Sequence, residues 1–282
     1  MRENHTDSCA QVTTFAFAVL RPLAIILLFA ALPFTLHAAH LIGGEITYRC
    51  LGSAGNNTNT YEITINVFRD CASGGSEFDS PDFVVPMNVT VYQGNTEFNT
   101  YVLNAPIVEV VDVAGSINNP CVEVPTNICV EQGTYTFVID LPIVNESYHI
   151  VYQRCCRNNT ITNIFMPDAS GSTYTIELTP TAQSTCNNSP VFREYPPAIL
   201  CAGQPFLYDF SATDEEGDLL IYEFCSPFLG GGQGPQDDPF GVAPNPDLPP
   251  PFDNVVFQAP NYTANVPLGT AAGLTFNPSS GI

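Results

Sequence analysis

An all-β chain built of two β-sandwich modules is the fold this sequence predicts, and three observations predict it. Short segments alternate apolar and polar residues with period two, as in residues 45–50 (EITYRC) and 61–69 (YEITINVFR), a pattern that turns one strand face to a core and the other to water. No window of twelve or more residues after the first forty keeps helical periodicity without a breaker. The 25 Pro and 20 Gly are spread between β-branched runs, which is the punctuation of a sandwich. An apolar fraction of 45%, with 19 Phe and 12 Tyr, supplies core material that a disordered acidic chain lacks.

Taken in order, the chain opens with residues 23–36 (LAIILLFAALPFTL), an uncharged apolar stretch behind Arg21 that is too short for a comfortable membrane span and runs into small residues at Ala38 and Ala39. This reads as a signal peptide over 1–38, leaving His40 close to the mature start. The competing reading, a membrane anchor extended through residues 15–20, is interrupted by Arg21 and Pro22. The alternating segments 45–50 and 61–69 flank the turn-rich stretch 52–59 (GSAGNNTN) and predict a hairpin. Further strands are expected at 83–92, 101–103, 107–113, 134–141, 147–154 and 174–178, so that residues 40–186 make one sandwich. Residues 186–197 (CNNSPVFREYPP) combine paired asparagines with three prolines and predict an extended linker over 187–199. The second module, 200–282, is expected to hold strands at 205–211, 219–224, 254–258 and 274–276 and an irregular exposed loop at 230–251. An Ig-like sandwich needs about seven strands, more than this segment offers, so the second module is expected to be incomplete and the chain to be the N-terminal part of a longer protein.

Charge narrows the partners. Lysine is absent, arginine occurs seven times, and 28 acids give a net charge of −21. Such a surface repels phosphate backbones and anionic headgroups, excluding nucleic acid and, after signal cleavage, membrane insertion, while it attracts cations. Nine cysteines follow the leader: Cys50, Cys71, Cys121, Cys129, Cys155, Cys156, Cys186, Cys201 and Cys225. They form no paired CxxC knuckles and only His40 and His149 accompany them, so structural zinc is disfavoured and disulfides are expected. Nearness within one local unit favours Cys201 with Cys225 and Cys121 with Cys129. Cys155 and Cys156 are adjacent; in a strand neighbouring side chains point to opposite faces, so each is expected to bridge a different partner. Arg154 and Arg157, which flank them, are expected to pair with acids locally.

The acidic run 214–218 (DEEGD) spaces Asp214, Glu216 and Asp218 at i, i+2 and i+4, with Gly217 permitting a bend. Calcium wants six to eight hard oxygens, and loop carboxylates at this spacing can supply several; the alternative is an acidic turn capped by its own side chains. Residues 187–192 (NNSPVF), followed by 212–218 (ATDEEGD), resemble the junctions of cadherin-like and Ig-like repeats, a resemblance that implies calcium stiffening a string of modules. This linker carries Asn188 and Ser189 where true cadherins have more acidic ligands. Residues 40–45 (HLIGGE), 48–52 (YRCLG), 68–71 (FRDC), 152–159 (YQRCCRNN), 186–192 (CNNSPVF) and 201–203 (CAG), in this order and with ATDEEGD, resemble the N-terminal region of large Bacteroidetes surface proteins. Those carry Ig-like, PKD-like or cadherin-like repeats and end in a gliding-motility-associated sorting domain. The resemblance implies export by a type nine secretion system, attachment at the outer cell surface or secretion, and a role in adhesion or gliding.

With two histidines after the leader and no lysine, general bases and Schiff-base amines have few candidates, and a non-enzymatic protein with an unknown protein or polysaccharide ligand is expected. The rival is a carbohydrate-binding region of a secreted polysaccharide-degrading enzyme. Sugar platforms are commonly tryptophan, of which the chain has none.

Overall fold

The computed structural model describes residues 41–72, 77–82, 85–112, 128–197, 199–200, 203–270 and 273–282. The expected signal peptide and its cleavage site, Cys121 and Cys201 lie outside the described residues. The regular structure of the described residues is almost all strand. β1 (Leu41–Gly55) and β2 (Thr58–Asp70) form an antiparallel hairpin. It is longer than the alternation predicts, because the expected loop over 52–59 is largely strand and only Asn56 and Asn57 turn. Both take positive φ, 50° and 58°, the left-handed pair that a two-residue type I′ turn requires and that asparagine tolerates.

β6 (Val130–Pro142) pairs along the whole of β2 and carries β5 (Ile107–Val110) on its other side. The first sheet thus has the order β1-β2-β6-β5. β3 (Met87–Gln93), β4 (Thr96–Leu103), β7 (Tyr148–Arg154) and β8 (Ser172–Leu178) make a second antiparallel sheet in the order β4-β3-β7-β8. β2 shows why these segments are strands: Asn59, Tyr61, Ile63, Ile65 and Val67 are buried while the residues between them are not. Tyr61, Ile63, Ile65 and Val67 meet Val89 and Val91 of β3 and Tyr148, Ile150 and Tyr152 of β7 in one core cluster. Each such side chain, fully buried, contributes roughly 1.5–3 kcal/mol.

β3 and β7 break the alternation, being buried on both faces. The second cover comes from the Gly/Pro-rich segment that was expected to be exposed. Residues 230–251 are irregular, as expected, but fold back over the outer face of the second sheet. Cys155 donates its N–H to the Val242 carbonyl (2.7 Å) and Thr173 to that of Phe228 (3.3 Å). Asp247, 1% exposed, reaches into the split between β3 and β7. The two strands pair from Thr90 to Gln93 against Tyr148 to Val151. Where they part, the Asp247 carboxylate accepts the Thr90 N–H (3.1 Å) on one oxygen and the Gln153 N–H (2.8 Å) on the other. Its own N–H donates to Thr90 Oγ1 (2.9 Å), and its carbonyl accepts the Tyr92 hydroxyl. The side chain acts as a stretch of missing strand.

Disulfides join Cys50 to Cys186, Cys71 to Cys129, and Cys155 to Cys156. Two expectations are corrected. Cys129 does not pair with Cys121: it opens β6 beside Cys71 at the end of β2, and strand pairing across 58 residues of sequence outweighs nearness along the chain. Cys155 and Cys156 bond to each other because β7 ends at Arg154, so the alternation that would separate their side chains stops before them. Cys225 is exposed and forms no disulfide with a described residue.

A six-residue helix, α1 (Pro180–Thr185), follows β8. Thr179 caps it by accepting the Ala182 N–H (3.2 Å), and Pro180 occupies the first turn, where its missing N–H costs nothing. None of the strands expected in the second module forms as a regular strand; the pair that does form there is β10 (Ala212–Thr213) with β9 (Val191–Phe192) in the linker. Asn254 and Phe257 make single bridges. The alternation at 219–224 is present, yet Leu219 and Ile221 are 88% and 77% exposed, so they lack the opposing apolar face that a strand packs on.

Candidate functional site

The predicted linker and the acidic run come together along the edge of β1. Cys186 closes α1 in a left-handed conformation and is bonded to Cys50, which fixes where the next residues start. Ser189 then exchanges hydrogen bonds with β1: the Tyr48 N–H donates to Ser189 Oγ (2.9 Å) and the Ser189 N–H to the Tyr48 carbonyl (3.0 Å). Asn188 Oδ1 accepts the Cys50 N–H at 2.8 Å. The edge of β1 is satisfied by side chains that a sequence reading assigns to a linker.

The acidic run is held by the same asparagines. Asn188 Nδ2 donates to Glu216 Oε1 (2.7 Å) and Glu215 Oε2 (2.9 Å), and the Asn188 N–H also reaches Glu216 Oε1 (3.2 Å). Asn187 Nδ2 donates to Asp218 Oδ2 at 2.6 Å. Asp214 faces its own turn, where Oδ1 accepts the Asp218 N–H (2.8 Å) across Gly217, whose φ of 81° suits glycine. Of the three predicted ligands, Glu216 and Asp218 therefore converge on the linker, while Asp214 caps the loop. Asn187 Oδ1 is a buried oxygen with no partner. Among the described residues no three of His, Cys, Asp and Glu gather as a group that could hold a metal.

A cavity of about 340 Å³ lies against this junction, bordered by Tyr48, Arg49, Glu62, Asn188, Asp214 and Glu215. Arg49 Nη2 meets Glu62 Oε1 at 2.9 Å across β1 and β2. Burial first, then the charges of Tyr61, Glu216 and Asp214, push the Tyr48 phenol up to about 12. The site thus concentrates negative charge beside a neutral tyrosine, and its one cation is already paired.

Two buried groups were missed from sequence. Arg154 does pair with an acid, but not a neighbouring one: its Nε lies 3.1 Å from Asp79 Oδ2, both side chains being almost wholly buried. Tyr152 donates to the same oxygen (2.8 Å), and Tyr135 donates to the Asp79 carbonyl (2.7 Å). Burial, opposed by Arg154 and Tyr152, raises the Asp79 carboxyl to about 6. Arg157 pairs with no acid among the described residues: it donates to the carbonyls of Gly171 (3.2 Å) and Phe228 (2.9 Å). Asp247 is the other missed group. Burial holds its carboxyl well above the usual range against the opposing hydrogen bonds from Thr90 and Gln153. The only advance signal was an aspartate between prolines.

No family model, no curated protein and no solved structure matches the chain.

Proposed function

We propose that this chain is a non-enzymatic module of an exported protein that works in adhesion at an outer cell surface. The observation that carries the reading is the disulfide framework. Cys50 in β1 is tied to Cys186 at the end of α1, 136 residues on, and Cys71 after β2 to Cys129 before β6, 58 residues on. Such bonds persist in oxidising compartments and not among cytosolic thiols. The apolar leader at 23–36 agrees with export, and the resemblance to Bacteroidetes surface proteins supplies the route through a type nine secretion system and the link to gliding.

Calcium belongs to the proposal as a stiffener of the junction. Its donors would be Glu216, Asp218 and the unpartnered Asn187 Oδ1, with Asp214 turning from its cap. These are the hard oxygens calcium takes, and bound there it would fix the linker against the acidic loop. The test of the adhesive reading is attachment of beads coated with the oxidised chain to host-protein and polysaccharide surfaces. Attachment lost on reduction supports it. Attachment to polysaccharide alone favours the carbohydrate-binding rival, and no attachment to either surface overturns adhesion.

A further inference from the structure

A cleft of about 540 Å³ opens where the returning segment meets the turn before β8. That volume lies within the range of ligand sites. One wall is Pro249, Pro250 and Pro251; Phe240 and Phe252 border it, and Asp253 stands at its rim. The opposite wall is bare backbone at Gly171 and Gly230. A Cβ on Gly171 would collide with the Gly230 carbonyl, and one on Gly230 with the side chains of Thr173 and Gln153. Glycine is required at both for the two segments to close into a wall.

The polar side chains of the lining are mostly spoken for. Gln153 Nε2 donates to Thr173 Oγ1 (2.9 Å) and its Oε1 accepts the Leu248 N–H (2.8 Å). Ser170 Oγ donates to the Met166 carbonyl (2.8 Å). Among the described residues no Lys, Arg or His lines the cleft. What remains is Phe240, 68% exposed, Phe252 packed on Phe228 at 5.4 Å, the proline wall and the carboxylate of Asp253. A sugar, which needs a hydrogen-bonding group for most of its hydroxyls, finds too few here. An apolar segment with one cation finds a ring, a proline surface and a counter-charge, and the net charge of −21 steers basic partners toward the molecule.

We propose that this cleft receives an extended apolar segment of a partner protein carrying one lysine or arginine, whose cation pairs with Asp253 while its apolar neighbours lie on Phe240 and the prolines. Extended peptides are commonly taken in grooves of aromatic rings, and a cation beside a phenyl face gains further. The inference rests on the adhesive reading and names the class of partner.

The experiment is fluorescence anisotropy of the oxidised chain with a labelled Pro-Leu-Lys-Leu-Pro peptide, its Lys→Glu counterpart and cellohexaose as the sugar competitor. The expected result is saturable binding of the lysine peptide, weakened about tenfold or more by the glutamate exchange and by Phe240→Ala. Asp253→Asn should erase the preference for lysine over glutamate and leave the melting temperature unchanged, since that side chain is exposed and holds no hydrogen bond or ion pair among the described residues. Equal binding of both peptides, indifference to Phe240→Ala and Asp253→Asn, no saturation up to about millimolar peptide, or displacement by cellohexaose would each overturn the proposal. Peptide binding without bead attachment would fault the adhesive reading alone.

Discussion

Replacing Asp247 by alanine tests how the chain closes its second sheet. The carboxylate accepts the N–H groups of Thr90 and Gln153 in a place that water does not reach. Removing it strands both donors, at about 1–3 kcal/mol each. Relief of a buried charge offsets part of this, since burial already holds the carboxyl well above its usual range. A net loss of about 3 kcal/mol follows, or roughly 10 °C in melting temperature for a chain of this size. Asparagine should cost about half as much, because its oxygen serves one N–H while its amide faces the other. Urea denaturation of the three proteins, followed by tyrosine fluorescence, measures both, with the slope unchanged if the unfolded states match. An Asp247→Ala loss below about 0.5 kcal/mol, the ordinary scatter of surface changes, would show that the loop merely rests on the sheet.

Three other outcomes follow. Asp79, with its carboxyl raised from 3.8 to about 6, binds its proton more tightly folded than unfolded. Its contribution is therefore complete below about pH 4 and is lost as pH rises through about 6, a fall of about 3 kcal/mol. Asp79→Asn should lower stability overall, by leaving Arg154 unpaired, yet flatten the profile between pH 4 and 6; a slope unchanged in denaturation at several pH values would refute the assignment. Replacing Cys50 and Cys186 together by serine should cost up to about 5 kcal/mol from loop closure, against about 4 for Cys71 and Cys129, so the reverse order of melting temperatures would count against a chain-entropy origin. If Glu216 and Asp218 hold calcium, millimolar calcium should raise the melting temperature and Asp218→Asn should blunt the rise; identical melts in calcium and in chelator remove the metal from the account.

Local pattern made the first half legible. Period-two alternation marked β1 and β2 because one face of each meets the core, and the asparagines of 52–59 announced a turn whose true extent, two residues, depends on how far the flanking strands pair. The second half was not legible in the same way. Asp247 reads as a turn former between prolines, and its partners Thr90 and Gln153 lie 157 and 94 residues away. The prediction of strands at 205–211 and 219–224 rested on alternation alone, which says that a face is apolar and not that anything covers it. At the acidic loop, spacing singled out Asp214, Glu216 and Asp218, but only the fold reveals that Asn187 and Asn188 hold two of them, since the Cys50 to Cys186 bond is what delivers the asparagines.

That same bond sets the route of tension through the molecule. A pull applied beyond residue 186 passes through sulfur to Cys50 and leaves by the first ten residues of β1, bypassing every residue between the two cysteines. With the two cysteines 136 positions apart, roughly 450 Å of potential contour is kept out of the loaded backbone. A chain wired in this way should stretch less under load while oxidised than once reduced, a difference that force spectroscopy with and without reductant measures.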